Sequence, residues 1–140
     1  MGEIELIARG LAYRDGKILV AHKKGESNTF LPGGHVKYGE SSLKALFREI
    51  REELGLRVDI GEFVGALEHG YVGKVGDEHH ELNLIYEIDF KGDVSSKESH
   101  LEFTWVEVGK MTDVKLLPEP LPRMITRWLR NRQATYDYSR

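Results

Sequence analysis

The chain has 140 residues, 40% hydrophobic and 31% charged, proportions that exclude a disordered or membrane-embedded chain and predict a single domain spanning residues 1–140. It contains no cysteine, which removes disulfides, thiol catalysis and cysteine zinc sites and accords with a reducing cytoplasm. The formal net charge of -3 argues against general nucleic-acid binding, although a bound cation could still attract a small anionic substrate.

The first ten residues include Glu3, Glu5 and Arg9, so no signal-peptide core is expected there, and no later segment has the length and apolarity of a membrane span. Asp15-Gly16 separates the apolar runs Ile4 to Tyr13 and Ile18 to His22, which predicts a hairpin. After Pro32-Gly33-Gly34, a helical pattern runs from about Ser42 to Leu54, with Leu43, Phe47, Ile50 and Leu54 as its apolar face. Gly55 has the chemistry of a helix stop, and Leu56 is placed to fold back against the helix. Leu82, Leu84, Tyr86, Ile88 and Phe90 alternate with Glu81, Asn83, Ile85, Glu87 and Asp89, predicting a strand more buried on the first set. Leu101 to Val108 is a further strand candidate. The chain closes with a helix from about Leu121 to Arg132, begun near Pro122 and packed through Met124, Ile125, Trp128 and Leu129. Together these elements predict an α/β fold with a mixed sheet covered by helices.

On the first helix, Glu49, Glu52 and Glu53 fall within an arc of about 100°. This arc points away from the expected apolar face, so the helix would bury one side and offer oxygen ligands on the other. Such clustered like charges repel, and a hard cation such as Mg2+ or Mn2+ would reverse that cost. Gly33 and Gly34 lie just upstream, where the lack of side chains would let backbone atoms approach a metal or a phosphate.

The stretch Gly34 to Leu56, GHVKYGESSLKALFREIREELGL, matches the full signature of the Nudix hydrolases at Gly34, Glu40, Arg48, Glu49, Ile50, Glu52, Glu53, Gly55 and Leu56. Phe30-Leu31-Pro32-Gly33 and the late Trp105-Val106 also resemble that family, with Phe30 standing where a tryptophan is common. The resemblance implies an α/β/α sandwich with a central mixed sheet, and metal-dependent hydrolysis of a diphosphate linkage in a nucleoside diphosphate joined to another moiety. By the same resemblance Glu49, Glu52 and Glu53 bind Mg2+ (or Mn2+), and the Gly34 carbonyl adds a ligand. Arg48 would orient a carboxylate, Glu52 being the one a turn away, and Glu40 would support the loop-helix geometry. Whether Glu49, Glu52, Glu53 or a residue outside the helix acts as general base is open. Proteins resembling the family often complete the site with a later acidic residue, for which Glu98 and Glu102 are the candidates. A homodimer is also common among them.

Histidines and acids gather at His69-Gly70-Tyr71 and Asp77-Glu78-His79-His80-Glu81, groups that bind phosphate, base or metal; Glu81, expected at the start of a strand after a flexible Gly73 to Gly76 loop, is the best single choice for a base or second-metal ligand and a candidate for substrate contact. Arg9, Lys23, Lys24 and Lys37 could pair with phosphates, Arg9 and Lys37 being the leading candidates. Tyr13, Phe30, Tyr38 and Tyr71 could stack on a base, and Arg123, Arg127 and Arg130 form a basic stripe on the last helix. Besides a pyrophosphohydrolase of small nucleotides (nucleoside triphosphates, oxidised nucleotides, ADP-ribose or nucleotide sugars), two alternatives compete. One is a nucleotide-sensing module without turnover, disfavoured by the complete set of glutamates. The other is an enzyme trimming RNA 5′ ends, disfavoured by the acidic charge balance.

Overall fold

The computed structural model describes residues 2–140. Strand β1 (Ile4–Leu11) leads into the expected hairpin, whose short arm β2 (Tyr13–Arg14) turns at Asp15 and Gly16 into β3 (Lys17–Lys23). Both turn residues have positive φ, 53° and 77°, as a two-residue type I′ hairpin demands. There follow β4 (Thr29–Phe30), β5 (Gly33–His35), helix α1 (Ser42–Leu54), β6 (Asp59–Val72), β7 (Glu78–Asp89), β8 (Leu101–Glu107), helix α2 (Leu121–Asn131) and β9 (Thr135–Ser139). The central sheet is mixed, in the order β5-β1-β7-β6-β9, with β1 parallel to β7 and β6 parallel to β9. A second, antiparallel sheet of β2, β3, β4 and β8 was not foreseen.

Two apolar cores give the molecule its layers. One holds Ala45, Leu46, Ile50 and Leu54 of α1 together with Ala8, Leu19 and Ile88. The other holds Leu121, Met124, Ile125 and Trp128 of α2 together with Ile18, Val20 and Ile85. Alternate residues of β3 and β7 therefore enter opposite cores, as side chains on the two faces of a pleated strand must. The helices thus cover the mixed sheet from both sides.

α1 begins and ends where expected. Ser41 caps its first turn by accepting from the Lys44 N–H at 3.2 Å, and Gly55, at φ 66°, closes it by donating to the Arg51 carbonyl at 2.8 Å. Its buried face differs from the predicted one. Leu43 is 46% exposed and Phe47 only half-buried, whereas Ala45, Leu46, Ile50, Glu53 and Leu54 are buried. The face is turned by roughly 80° because the helix packs on β1 and β5, which periodicity within the helix cannot reveal. Glu53, expected on the open side, consequently lies near the middle of the buried arc.

β7 departs from expectation in the same way. Asn83 and Ile85 are buried while Leu82 and Leu84 are only half-buried, because β7 lies between β1 and β6 and is covered on both faces. The strand also starts earlier. β6 and β7 stay paired as far as Val72 and Glu78, and the connection is closed by Gly73 N–H donating to the Asp77 carbonyl at 2.7 Å, so Glu81 sits inside the strand opposite His69. Strand β9, unforeseen, adds a parallel edge to β6, and Arg123 ties α2 to it through Asp137 at 2.8 Å.

Candidate active site

Backbone geometry at Gly33 and Gly34 organises the site. Gly33 has φ 136°, a conformation closed to other residues, and any side chain there would collide with the Ala8 carbonyl oxygen. Its N–H donates to Glu53 Oε1 at 3.3 Å, while across the β1–β5 pairing it stands opposite Arg9. At Gly34 a Cβ would come within 2.5 Å of the Glu49 carboxyl carbon. The missing side chain is thus the room that the Glu49 carboxylate uses.

Arg48 locks the loop to the helix. It donates to both oxygens of Glu40, from Nε at 2.8 Å and Nη2 at 2.9 Å, to the His35 carbonyl at 3.1 Å and to Glu49 Oε1 at 2.8 Å. Glu52, the expected partner, is reached only at 3.4 Å, and Glu40 is the principal one. The fork geometry explains this choice, since a guanidinium pairs best with a carboxylate presented edge-on. The Arg48 bonds, aided by the Lys37 main-chain N–H, pull the Glu40 carboxyl down to about 2, and Glu40 in turn raises the proton affinity of Arg48.

Glu53 has the opposite electrostatics. At 6% exposure its charge is poorly solvated, and burial pushes its pKa up to about 8. The Gly33 N–H and Arg9 oppose the shift, while nearby Glu49 and Glu98 add to it. Glu98 therefore belongs to the neighbourhood of Glu53, brought there by a loop whose Lys97 N–H donates to the Glu53 carbonyl at 2.7 Å. Glu102 instead faces His22 across β3 and β8 at 3.7 Å.

The donors at hand, three carboxylates and the Gly34 carbonyl, suit a hard divalent cation, and the poorly solvated Glu53 charge is one that such a cation would relieve. Among the described residues no three acidic or histidine side chains yet converge in ligand geometry. Glu49 would have to exchange Arg48, and Glu53 the Gly33 N–H, for the ion.

Beside this cluster opens a cleft of about 560 Å³. Its polar wall consists of alternate residues on one face of the central sheet: His69 and Tyr71 of β6, Glu81 and Asn83 of β7, and Arg9 of β1. Phe30 and Leu117 supply apolar surface. Arg9 donates to the Leu31 carbonyl at 3.0 Å and lies over the Phe30 ring at 5.2 Å. Burial lowers its proton affinity, against the opposing fields of Glu53, Glu81 and Glu49. Of the sequence candidates, the cleft gathers Arg9, Glu81, Phe30, Tyr71 and Lys23. Lys37, expected to bind phosphate, has an exposed side chain in the loop before α1 and does not line the cleft; Lys24, Tyr13 and Tyr38 are likewise exposed. Asn83, 2% exposed, was missed, although an amide amid apolar strand residues and two positions from Glu81 was a readable signal.

A family model for the NUDIX domain matches residues 6–129. The chain belongs to the Nudix hydrolase family. It is 32% identical over 126 residues to the CTP pyrophosphohydrolase of Escherichia coli K12, covering 87% of this chain and 89% of that one. It is 26% identical over 125 residues to the ADP-ribose pyrophosphatase of Methanocaldococcus jannaschii, covering 85% and 71%. Among solved structures, the E. coli ORF135 protein superposes with a TM-score of 0.71 at 26% identity over 94% of both chains. As a Nudix hydrolase, the chain carries the family signature on the loop and helix that hold Gly34, Arg48 and the three glutamates.

Proposed function

We propose that this Nudix hydrolase cleaves the diphosphate linkage of a small nucleotide with Mg2+ as cofactor, releasing a nucleoside monophosphate. The observation that carries the reading is the junction at Gly33, whose N–H holds Glu53 on the acidic helix and whose cross-strand partner Arg9 lines the cleft. A nucleotide in the cleft would thereby lay its phosphates against the glutamates.

Glu49, Glu52, Glu53 and the Gly34 carbonyl are the ligands in this reading. Bound there, Mg2+ would neutralise phosphate charge and lower the pKa of an attacking water. Arg48 keeps Glu49 and the loop in register. Arg9, with one N–H committed to Leu31, has further donors for phosphate oxygens. A carboxylate of the cluster takes the proton of the water as its oxygen bonds to phosphorus and the bridging P–O bond breaks. Glu81 and Asn83 stand at the nucleoside end. The names of the pyrophosphohydrolase and pyrophosphatase relatives favour this reaction over nucleotide sensing alone.

The deciding experiment incubates the protein with a panel of nucleoside triphosphates, ADP-ribose and nucleotide sugars in Mg2+, then repeats it in excess EDTA. Release of nucleoside monophosphate that stops on chelation is expected. Tight binding without turnover of any compound would establish a sensor instead.

A further inference from the structure

We propose that Glu81, held in place by Tyr71, selects nucleotides whose base carries an exocyclic amine, favouring cytosine over uracil. The inference rests on the reading of the cleft as a nucleotide site and adds the group that reads the base.

Arg9 is paired with Ile85 across β1 and β7, and Glu81 lies four residues back along β7. At ~3.3 Å per residue the two backbone positions stand about 13 Å apart along the strands, while their side chains come near enough for the Glu81 charge to act on Arg9. A carboxylate at Glu81 repels phosphate, whereas the Arg9 guanidinium attracts it. The phosphates therefore belong at Arg9 and the base at Glu81.

Tyr71 fixes what Glu81 can offer. Its ring stacks on His69, with centroids 5.0 Å apart and planes at 20°, and on His79, at 4.7 Å and 7°. Each imidazole is itself anchored, His69 to Ser139 at 3.1 Å and His79 to Glu5 at 3.1 Å. The clamped Tyr71 hydroxyl donates to Glu81 Oε2 at 3.2 Å. Burial and the Glu81 charge raise the phenol to about 12, so it keeps its proton and its role as donor. Glu81 Oε1 remains as an acceptor. Two positions on, Asn83 donates from Nδ2 to the Leu67 carbonyl at 3.3 Å, which leaves its Oδ1 as a second acceptor on the same face. Two neighbouring acceptors suit the N4 amine of cytosine and oppose the O4 acceptor of uracil.

The test compares kcat/KM for CTP and UTP in wild type, Glu81→Gln and Tyr71→Phe, with Kd for both nucleotides measured in EDTA as a readout independent of turnover. The wild type should prefer CTP by about tenfold or more in both measurements, since the O4 of uracil would set an acceptor against the two acceptors of Glu81 and Asn83. In Glu81→Gln the amide oxygen takes the Tyr71 bond and its NH2 faces the base, so the preference should reverse toward UTP. Tyr71→Phe, which frees the carboxylate to turn, should narrow the ratio without reversing it. Equal Kd and kcat/KM for the two nucleotides in wild type would overturn the proposal. So would a Glu81→Gln enzyme, folded by its melting curve, that loses kcat equally on both, because Glu81 would then serve the metal or the water. If Glu81→Gln does not fold, an unchanged ratio in Tyr71→Phe overturns the proposal alone. Absent turnover with a retained difference in Kd would defeat the hydrolytic reading and leave base selection standing.

Discussion

The carboxylate of Glu49 lies where a side chain on Gly34 would be, 2.5 Å from the position a Cβ would take. Two adjacent glycines therefore have different duties. Gly34 leaves room for the Glu49 side chain, which can move, whereas Gly33 avoids a collision with fixed backbone.

Gly34→Ala should displace Glu49, which can swing aside, and so preserve the fold while lowering kcat by about tenfold or more. Gly33→Ala should destabilise the protein by ~2–4 kcal/mol, since its φ of 136° and the Ala8 carbonyl leave no room to adjust. Chemical denaturation of both variants beside their kinetics separates the two roles. Equal losses of stability would refute the distinction.

Glu53→Gln keeps an oxygen for the Gly33 N–H and removes the charge. Turnover should fall by on the order of a hundredfold, corresponding to ~3 kcal/mol of lost transition-state stabilisation. The metal-free melting temperature should hold or rise, because the cost of burying this carboxyl beside Glu49 and Glu98, met in the folded chain by taking up a proton, no longer arises. Normal kcat would remove Glu53 from the metal site.

The same residue makes metal-free stability depend on pH. Its carboxyl binds a proton up to about pH 8 in the folded chain and only to about 4.5 in the unfolded one, so between these values the native state carries more protons. That contribution is fully present below about 4.5 and is lost as pH rises through about 8. In EDTA the melting temperature should therefore decline across this window more steeply for wild type than for Glu53→Gln. Mg2+ should flatten the decline by favouring the ionised form. Identical slopes in EDTA would show that the carboxyl is not perturbed.

Arg48→Lys retains charge and loses the fork that grips Glu40, His35 and Glu49 together. Activity should drop by about tenfold or more, with a melting temperature only a few degrees lower, because the ion pairs lie near the surface. Undiminished activity would mean that a point charge suffices.

Arg9→Met should raise KM for nucleotides by about tenfold or more, since the cleft loses its phosphate donors. Its melting temperature should change by only a few degrees, since the lost bond to the Leu31 carbonyl and the lost attraction of Glu53, Glu81 and Glu49 are set against the burial cost of the guanidinium charge. An effect confined to kcat would place Arg9 in the chemical step.

Features governed by neighbours in the chain were legible beforehand. The Asp15-Gly16 hairpin follows from two residues that tolerate positive φ, and α1 runs from Ser42 to Leu54 because a serine cap and a glycine stop bracket a helical pattern. The spacing of Glu49, Glu52 and Glu53 likewise revealed the acidic cluster, since helix geometry alone puts them on one arc. Long-range packing decided the remainder. Which face of α1 is buried depends on β1 and β5, and this makes Glu53, expected to be solvated, a desolvated carboxyl held by Gly33. Glu98 was separated from Glu102, and Lys23 from Lys37, by loop paths that no local pattern encodes. The cleft itself exists because β1, β6 and β7 bring Arg9, His69 and Glu81 to one sheet face, and although β6 and β7 pair as chain neighbours, β1 meets β7 in a register between residues some seventy-six positions apart. Side-chain periodicity tells which residues share a strand face, and only the strands and helices packed around it determine what that face meets.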